Sequence, residues 1–228
     1  MAITLGNVTF DRAHTTVREK HEEVGGRNAR RIEITGLIVG KHSIEDIEAE
    51  FDAVLDAASA DGYTAELSLR EERRLWVQRT TFVRGVSRET LVGSFTLGLD
   101  ARDPFEESTT LEAVPWSITA SGATTSVASG GNVFSVPTIT LAASGDVINP
   151  SFSDGTRTLT YWGTVEDGQT LVLDGPAAVV TLEGEDVTPY TTGVFPRIAP
   201  EGAVLTYSDD DSSSHTALVT VAFRDRWW

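Results

Sequence analysis

The chain has no cysteine among its 228 residues. That excludes disulfide frameworks, thiolate zinc sites and cysteine nucleophiles together, and it suits synthesis in a reducing cytosol. Long apolar runs are missing too. Nothing approaches the roughly 20 consecutive residues that span a bilayer, so no membrane insertion is expected. The opening Met1-Ala2-Ile3-Thr4-Leu5-Gly6-Asn7 lacks a basic stretch followed by an apolar core, and reads as no secretory signal. Basic residues are scarce: 18 Lys and Arg face 34 Asp and Glu, for a formal charge of −16. That balance opposes a grip on nucleic acid, which needs clustered cations. It suits solubility, and equally a surface past which a polyanion slides without sticking.

Signals of catalysis are just as sparse. The histidines, His14, His21, His42 and His215, have neither the spacing of a helical metal site nor a neighbouring nucleophile motif. Each reads as a lone surface histidine. Phosphate-cradling glycine loops and Gly-x-Ser-x-Gly are absent. Asp209-Asp210-Asp211 lacks the glycine and the spaced glutamate of a calcium loop and reads as a solvated hairpin tip; Glu183-Gly184-Glu185-Asp186 reads as an acidic turn. No catalytic, metal or cofactor residue is expected, and the chain is not expected to be an enzyme.

What the chain does have is a break in composition. Residues 1–107 hold 14 basic and 20 acidic side chains; residues 108–228 hold 4 and 14, with Ser, Thr, Gly, Val and Ala taking over. Two domains, 1–107 and 108–228, follow from that break. In the first, residues 2–10 alternate weakly as a strand, while residues 12–27 are polar, with a Gly25-Gly26 turn, and read as an exposed loop or arm. Arg30-Arg31-Ile32-Glu33-Ile34-Thr35-Gly36-Leu37-Ile38-Val39 alternates with period two, as a half-buried strand does.

Ser43 then opens a helix. Its hydroxyl suits the N-cap, with Asp46 at the reciprocal position of a capping box, and Glu45 and Asp46 suit the positive end of the dipole. Ile44, Ile47, Phe51, Val54, Leu55 and Ala58 form one apolar stripe, and Asp61-Gly62 ends the helix. Glu45, Asp46, Glu48, Glu50, Asp52 and Asp56 crowd the same segment, and Glu48 and Asp52 read as a solvated face. Strands are expected over 65–70, 75–83 and 90–100, the last two joined by a hairpin at Arg84-Gly85-Val86-Ser87-Arg88. This is an α+β domain, a β-sheet or barrel with one amphipathic helix laid across it. The second part carries no helical pattern, and seven or more short strands there read as a β-sandwich. Within it residues 121–132, rich in Ser, Gly, Ala and Thr, read as a turn or loop.

Two groups of residues stand out as contact candidates. Arg70, Arg73, Arg74, Arg79, Arg84 and Arg88 form a basic stretch suited to meeting an acidic face, such as the carboxylate-rich helix, on a neighbouring subunit. Trp227 and Trp228 are costly to leave in water and are expected to pack at a domain seam or a subunit interface.

The strand order Leu159-Thr160-Tyr161-Trp162-Gly163, Thr170-Leu171-Val172-Leu173-Asp174, Ala178-Val179-Val180-Thr181-Leu182, Val204-Leu205-Thr206-Tyr207 and Ala217-Leu218-Val219-Thr220-Val221-Ala222-Phe223, with Phe195-Pro196-Arg197-Ile198-Ala199-Pro200 and the terminal Phe223-Arg224-Asp225-Arg226-Trp227-Trp228, resembles the distal tail proteins of long-tailed bacteriophages. The resemblance is strongest over about 80 C-terminal residues. It implies a mainly β chain with a ring-forming N-terminal domain and a galectin-like peripheral C-terminal domain. It also implies a homo-oligomer, a hexameric ring, in the virion tail, assembled in the host cytoplasm. The partners it implies are the tail tube protein and the tail-tip or hub proteins, with DNA passing through without specific binding. No inserted host-binding module is visible, so the chain looks like a minimal connector. Two alternatives remain: a carbohydrate-binding sandwich for host-surface attachment, with Tyr161 and Trp162 stacking on a sugar, or another tail ring protein, tube or terminator.

Overall fold

The computed structural model describes residues 2–24, 27–59, 62 and 64–228. The expected Gly25-Gly26 turn and Asp61 lie outside the described residues. The chain divides into two units, Met1–Thr109 with Trp228, and Thr110–Trp227.

The first unit is built from β1 (Ile3–Leu5), β2 (Val8–Phe10), β3 (Thr15–Val24), β4 (Arg27–Ile38), α1 (Ile44–Ala57), β5 (Ala65–Ser68), β6 (Arg73–Ser87), β7 (Val92–Ala101) and β8 (Glu106–Ser108). The main path of its sheet is β2-β1-β5-β6-β7-β4-β3, and β8 pairs with the start of β6. Period-two alternation buries Ile32, Ile34 and Ile38 of β4 and Phe95, Leu97 and Leu99 of β7 on one face. Phe10 lies four strands from Phe95 along that path, yet their rings are 5.9 Å apart. The sheet is therefore strongly curled.

The helix closes the concave side. Ile47, Phe51 and Val54 are buried, and Phe51 meets Phe82 edge-on at 6.4 Å. Close approach depends on Gly93, where a Cβ would sit 2.6 Å from Ile47 Cγ2. Ser43 caps as expected, accepting the Asp46 N–H at 3.1 Å. Ser43→Ala is expected to cost about 1 kcal/mol, read as a shift in the denaturant midpoint. The helix stops at Ala57, before Gly62, with Ala58 as its C-cap.

Three expectations for this unit need correcting. Residues 15–24 are not a loop or arm but β3, paired residue for residue with β4; β3 is an edge strand, and its polar composition reflects that position. The weak 2–10 strand is a hairpin of two short ones. The hairpin after β6 turns at 88–91, so Arg84 to Ser87 are strand residues, with Leu91 taking a positive φ of 50°.

The second unit comprises β9 (Glu112–Ile118), β10 (Thr124–Val127), β11 (Thr138–Ala143), β12 (Val147–Ile148), β13 (Ser151–Ser153), β14 (Thr158–Tyr161), β15 (Thr164–Val165), β16 (Thr170–Asp174), β17 (Val179–Leu182), β18 (Glu185–Asp186), β19 (Thr191–Gly193), β20 (Ala203–Ser208) and β21 (Ala217–Phe223). A five-stranded sheet, β10-β20-β13-β14-β19, faces a six-stranded one, β18-β17-β16-β11-β21-β9, and β12 pairs with β15. Trp116 of the larger sheet meets Phe152 and Tyr207 of the smaller at 6.2 and 6.5 Å, forming an aromatic centre to the sandwich. The stretch expected as a turn or loop at 121–132 contains β10, whose single buried residue is Val127. The protein is mainly β with one α-helix among its described residues, a sheet-plus-helix unit followed by a β-sandwich.

Candidate assembly surfaces

In the first unit, the outer face of the curled sheet is set by register. Thr16, Thr35, Thr96 and Val83 lie in one row across β3, β4, β7 and β6, and Leu37, Ser94 and Gly85 form the next. Val83 is 65% and Leu37 48% exposed. On the other side of the Thr16 row the next two rows are charged with both signs, Arg18 beside Glu33 and then Lys20 beside Arg31 and Asp100. That charged half lines a concavity of about 740 Å³. A charge-free patch of Thr, Ser, Gly, Val and Leu on a chain of net charge −16 costs little to desolvate and is suited to flat packing against protein.

The arginines of the sequence are largely engaged within their own unit. Arg30 is 1% exposed. It donates to Glu19 from both Nε and Nη2, to the Pro104 carbonyl from Nη1 at 3.2 Å, and to Glu106 from Nη2 at 2.8 Å. Arg70 reaches the same Glu106 and Glu19, and Arg73 lies 3.8 Å from Glu106. Arg74 pairs with Glu66 and Glu107 and stacks over Trp76. This network pins the segment that leaves the first unit against β3, β4 and β6. Arg84 bridges Glu48 at 2.8 Å and Asp52 at 3.5 Å of its own chain's helix. Glu48 and Asp52 keep much of their side-chain surface in solvent, in keeping with the expected solvated face, but an intramolecular partner occupies part of the acidic surface assigned to a neighbouring subunit. Arg79 is half-buried at the bulge that interrupts β6 near Thr80.

Trp228 belongs to the first unit, with its ring 4.9 Å from that of His21 and 5.2 Å from that of Phe105. Half its surface remains exposed. Trp227 is half-buried in the second unit.

In the sandwich, Tyr161 is buried and Trp162, just past the end of β14, is 55% exposed. The Trp162 indole donates to Thr192 Oγ1 at 2.7 Å. Tyr190, also exposed, accepts the Trp162 backbone N–H through its carbonyl.

Sequence reasoning misread the Asp209 turn. Its carboxylate is fully buried, accepting the Tyr207 hydroxyl at 2.7 Å and bonding His215 Nδ1 at 2.8 Å. Burial and the adjacent carboxylate push the Tyr207 phenol far above its ordinary range, which keeps it a donor. The surface reading is corrected for His215, whose partner is a buried carboxylate, whereas His14 bonds the exposed Asp11 and His21 remains exposed. The signal available was local: Tyr-x-Asp at 207 and 209 sits at the end of an alternating strand, where i and i+2 share a face.

Asp154 is a second buried carboxylate, its side chain 6% exposed. Burial pulls its pKa up, but backbone N–H donors from Arg197, Arg157 and Thr156 outweigh that and hold it below the usual value. A depressed carboxylate contributes stability that is present above its unfolded pKa and lost as pH falls through the folded one. The second unit is therefore expected to lose stability below about pH 4, and Asp154→Asn to flatten that loss; thermal melts across pH check it.

No helix among the described residues is long and apolar enough to cross a membrane. Residues 130–227 match the family model for the C-terminal domain of the siphovirus-type tail component. No curated protein matches the chain. Among solved structures, the Dit protein of phage SPP1 (gp 19.1) superposes with a TM-score of 0.71 at 12% identity, over 100% of this chain and 99% of that one. That protein is described as a paradigm of the hub adsorption apparatus in phages infecting Gram-positive bacteria. The likeness shows the fold from end to end, and the family match covers the sandwich from residue 130 onward, without β9 and β10. Residues 130–227 thus match the C-terminal domain of siphovirus-type tail components, and the chain as a whole shares the fold of the SPP1 Dit protein.

Proposed function

We propose that the chain is one subunit of a ring in the tail hub, joining the tail tube to the tip proteins and leaving an opening for DNA. The observation that carries this reading is the family match over residues 130–227, in a chain whose whole length follows one hub protein's fold. Ring closure by heterologous contacts needs two different surfaces on each subunit. The uncharged outer rows through Val83 and Leu37 offer one. The ten-residue edge of β3 offers another, with backbone groups on its outer side for a second copy to cover. Arg79 and the half-exposed Trp228 are further candidates for contact with a neighbour, as are Arg73 and Arg74 where their own ion pairs leave them solvent-facing. Six copies is the count the family implies. The strongly acidic composition keeps a passing polyanion from adhering to the opening.

The test is the solution mass by light scattering, with negative-stain images of the same peak. A multiple of the subunit mass with an open-centred ring is expected, and Val83→Glu is expected to reduce it to single subunits. A closed globular oligomer without an opening would contradict the proposal.

A further inference from the structure

The second unit has only four basic residues, Arg157, Arg197, Arg224 and Arg226, against 14 acidic ones from Glu112 to Asp225. Two of the four line the same cavity, of about 400 Å³, together with Phe134, Asp154 and Glu201. In so acidic a unit, two guanidiniums at one concavity call for a physical reason.

The cavity is built by a pinned turn. Asp154 accepts the backbone N–H of Thr156 and Arg157 within its own turn, at 2.8 and 2.7 Å. Its other oxygen accepts the backbone N–H of Arg197 at 2.8 Å, joining two segments 43 residues apart. The remaining contact, from Arg157 Nη1, is long at 3.4 Å. The Asp154 charge is thus spent mainly on backbone donors, and it only partly balances Arg157.

Arg197 is left with a ring in place of a counter-charge. Its guanidinium carbon stands 4.0 Å from the centre of the Phe134 ring, within cation–π range. Among the described residues no carboxylate oxygen lies within 4.0 Å of its guanidinium nitrogens. Burial and the nearby Arg157 pull its pKa below the ordinary guanidinium range, and the attraction of Asp154 offsets this only in part; an arriving anion would offset it further. A planar, stacked guanidinium with its edge nitrogens unclaimed matches the two oxygens of a carboxylate.

We propose that the Arg157–Arg197 cavity is a binding site for a singly charged carboxylate. The single charge follows from the surroundings, because Asp154 and Glu201 on the cavity wall would repel a phosphate dianion more strongly than a monoanion. The carboxylate has two possible sources, a small acidic molecule such as a uronic acid or an acidic side chain on a second copy of this chain.

The test uses the full chain and Arg197→Gln, a substitution that keeps the backbone donor to Asp154. Thermal melts confirm that the variant is folded. Sodium glucuronate, methyl glucoside and inorganic phosphate are titrated against each while NMR reports on the Phe134 ring. A saturable glucuronate response, at least about tenfold weaker in the variant, with phosphate weaker and the neutral sugar silent, supports the site with a free carboxylate. If a second copy already supplies the group, wild-type self-association seen by light scattering is competed by glucuronate and weakened in Arg197→Gln, which supports the site with that source. Equal responses from methyl glucoside, tighter binding of phosphate, or neither a glucuronate response nor an Arg197-dependent association overturns the proposal.

Discussion

Arg30→Ala is expected to destabilise the first unit by about 3–5 kcal/mol. The side chain is fully buried, and its guanidinium serves two carboxylates and one carbonyl. Truncation leaves the 3% exposed Glu106 with only the outer arginines, Arg70 and Arg73, and leaves the Pro104 carbonyl without this donor. Because Arg70 and Arg73 still face Glu106, the buried charge is left only partly compensated, which places the loss toward the lower end of that range. Lysine should not restore stability, since one ammonium cannot reproduce donation from Nε, Nη1 and Nη2 in a fixed fork. Urea unfolding of the full chain, with the first unit's transition followed separately, gives the number. A loss below about 1 kcal/mol, the range of exposed pairs, would show the network to be dispensable. Because the pinned segment runs through Pro104 to Glu106, the same variant should also loosen the chain where it leaves the first unit, seen as faster amide exchange over 102–108.

The second large effect lies in the sandwich. Asp209→Ala is expected to cost about 3 kcal/mol, since it removes two hydrogen bonds to a charged group and strands a buried hydroxyl. Tyr207 is fully buried against Trp116 and Phe152, and its hydroxyl donates to Asp209. Tyr207→Phe should cost less than Asp209→Ala, because it removes the hydroxyl together with its need for an acceptor. Asp210→Ala, at the exposed neighbour whose carboxylate accepts from Ser212, should change stability little. Equal effects of the Asp209 and Asp210 substitutions would refute the buried-carboxylate account. Trp116 fluorescence is a suitable local probe of this centre.

Which parts of the molecule were legible in the sequence follows from where alternation survives. β4, β16, β17, β20 and β21 each bury one face, and their apolar residues repeat every second position. The helix announced itself through Ser43 and the stripe from Ile47 to Val54. Of the strands not named from the sequence, β11 and β13 are interior to their sheets, whereas β3, β9 and β10 lie at sheet edges. There little of the strand is buried, so the pattern fades: β10 keeps only Val127, and β9 tolerates Pro115, as an edge can. The assembly candidates were legible only by type. Arginine count suggested intermolecular pairing, whereas the fold spends Arg30, Arg70, Arg74 and Arg84 on carboxylates of its own first unit, many of them 30 or more positions away. Pairings at that separation have no sequence signature. The buried Asp209 was hidden in the same way, by two exposed acidic neighbours that made the triplet look uniformly solvated.

The uncharged outer rows of the first unit emerge only from register, since Thr16, Thr35, Thr96 and Val83 are scattered over nearly 80 positions and meet in one line. If that face packs against other subunits, its composition is explained without any catalytic demand.

The most direct test of the central claim is the position of this chain in the virion. Gold-labelled antibody against the purified protein, imaged on intact particles by electron microscopy, should mark a single site at the end of the tail tube distal to the head. Label spread along the tube, confined to the head, or missing from particles that contain the protein by mass spectrometry and expose the tail end would contradict the hub assignment.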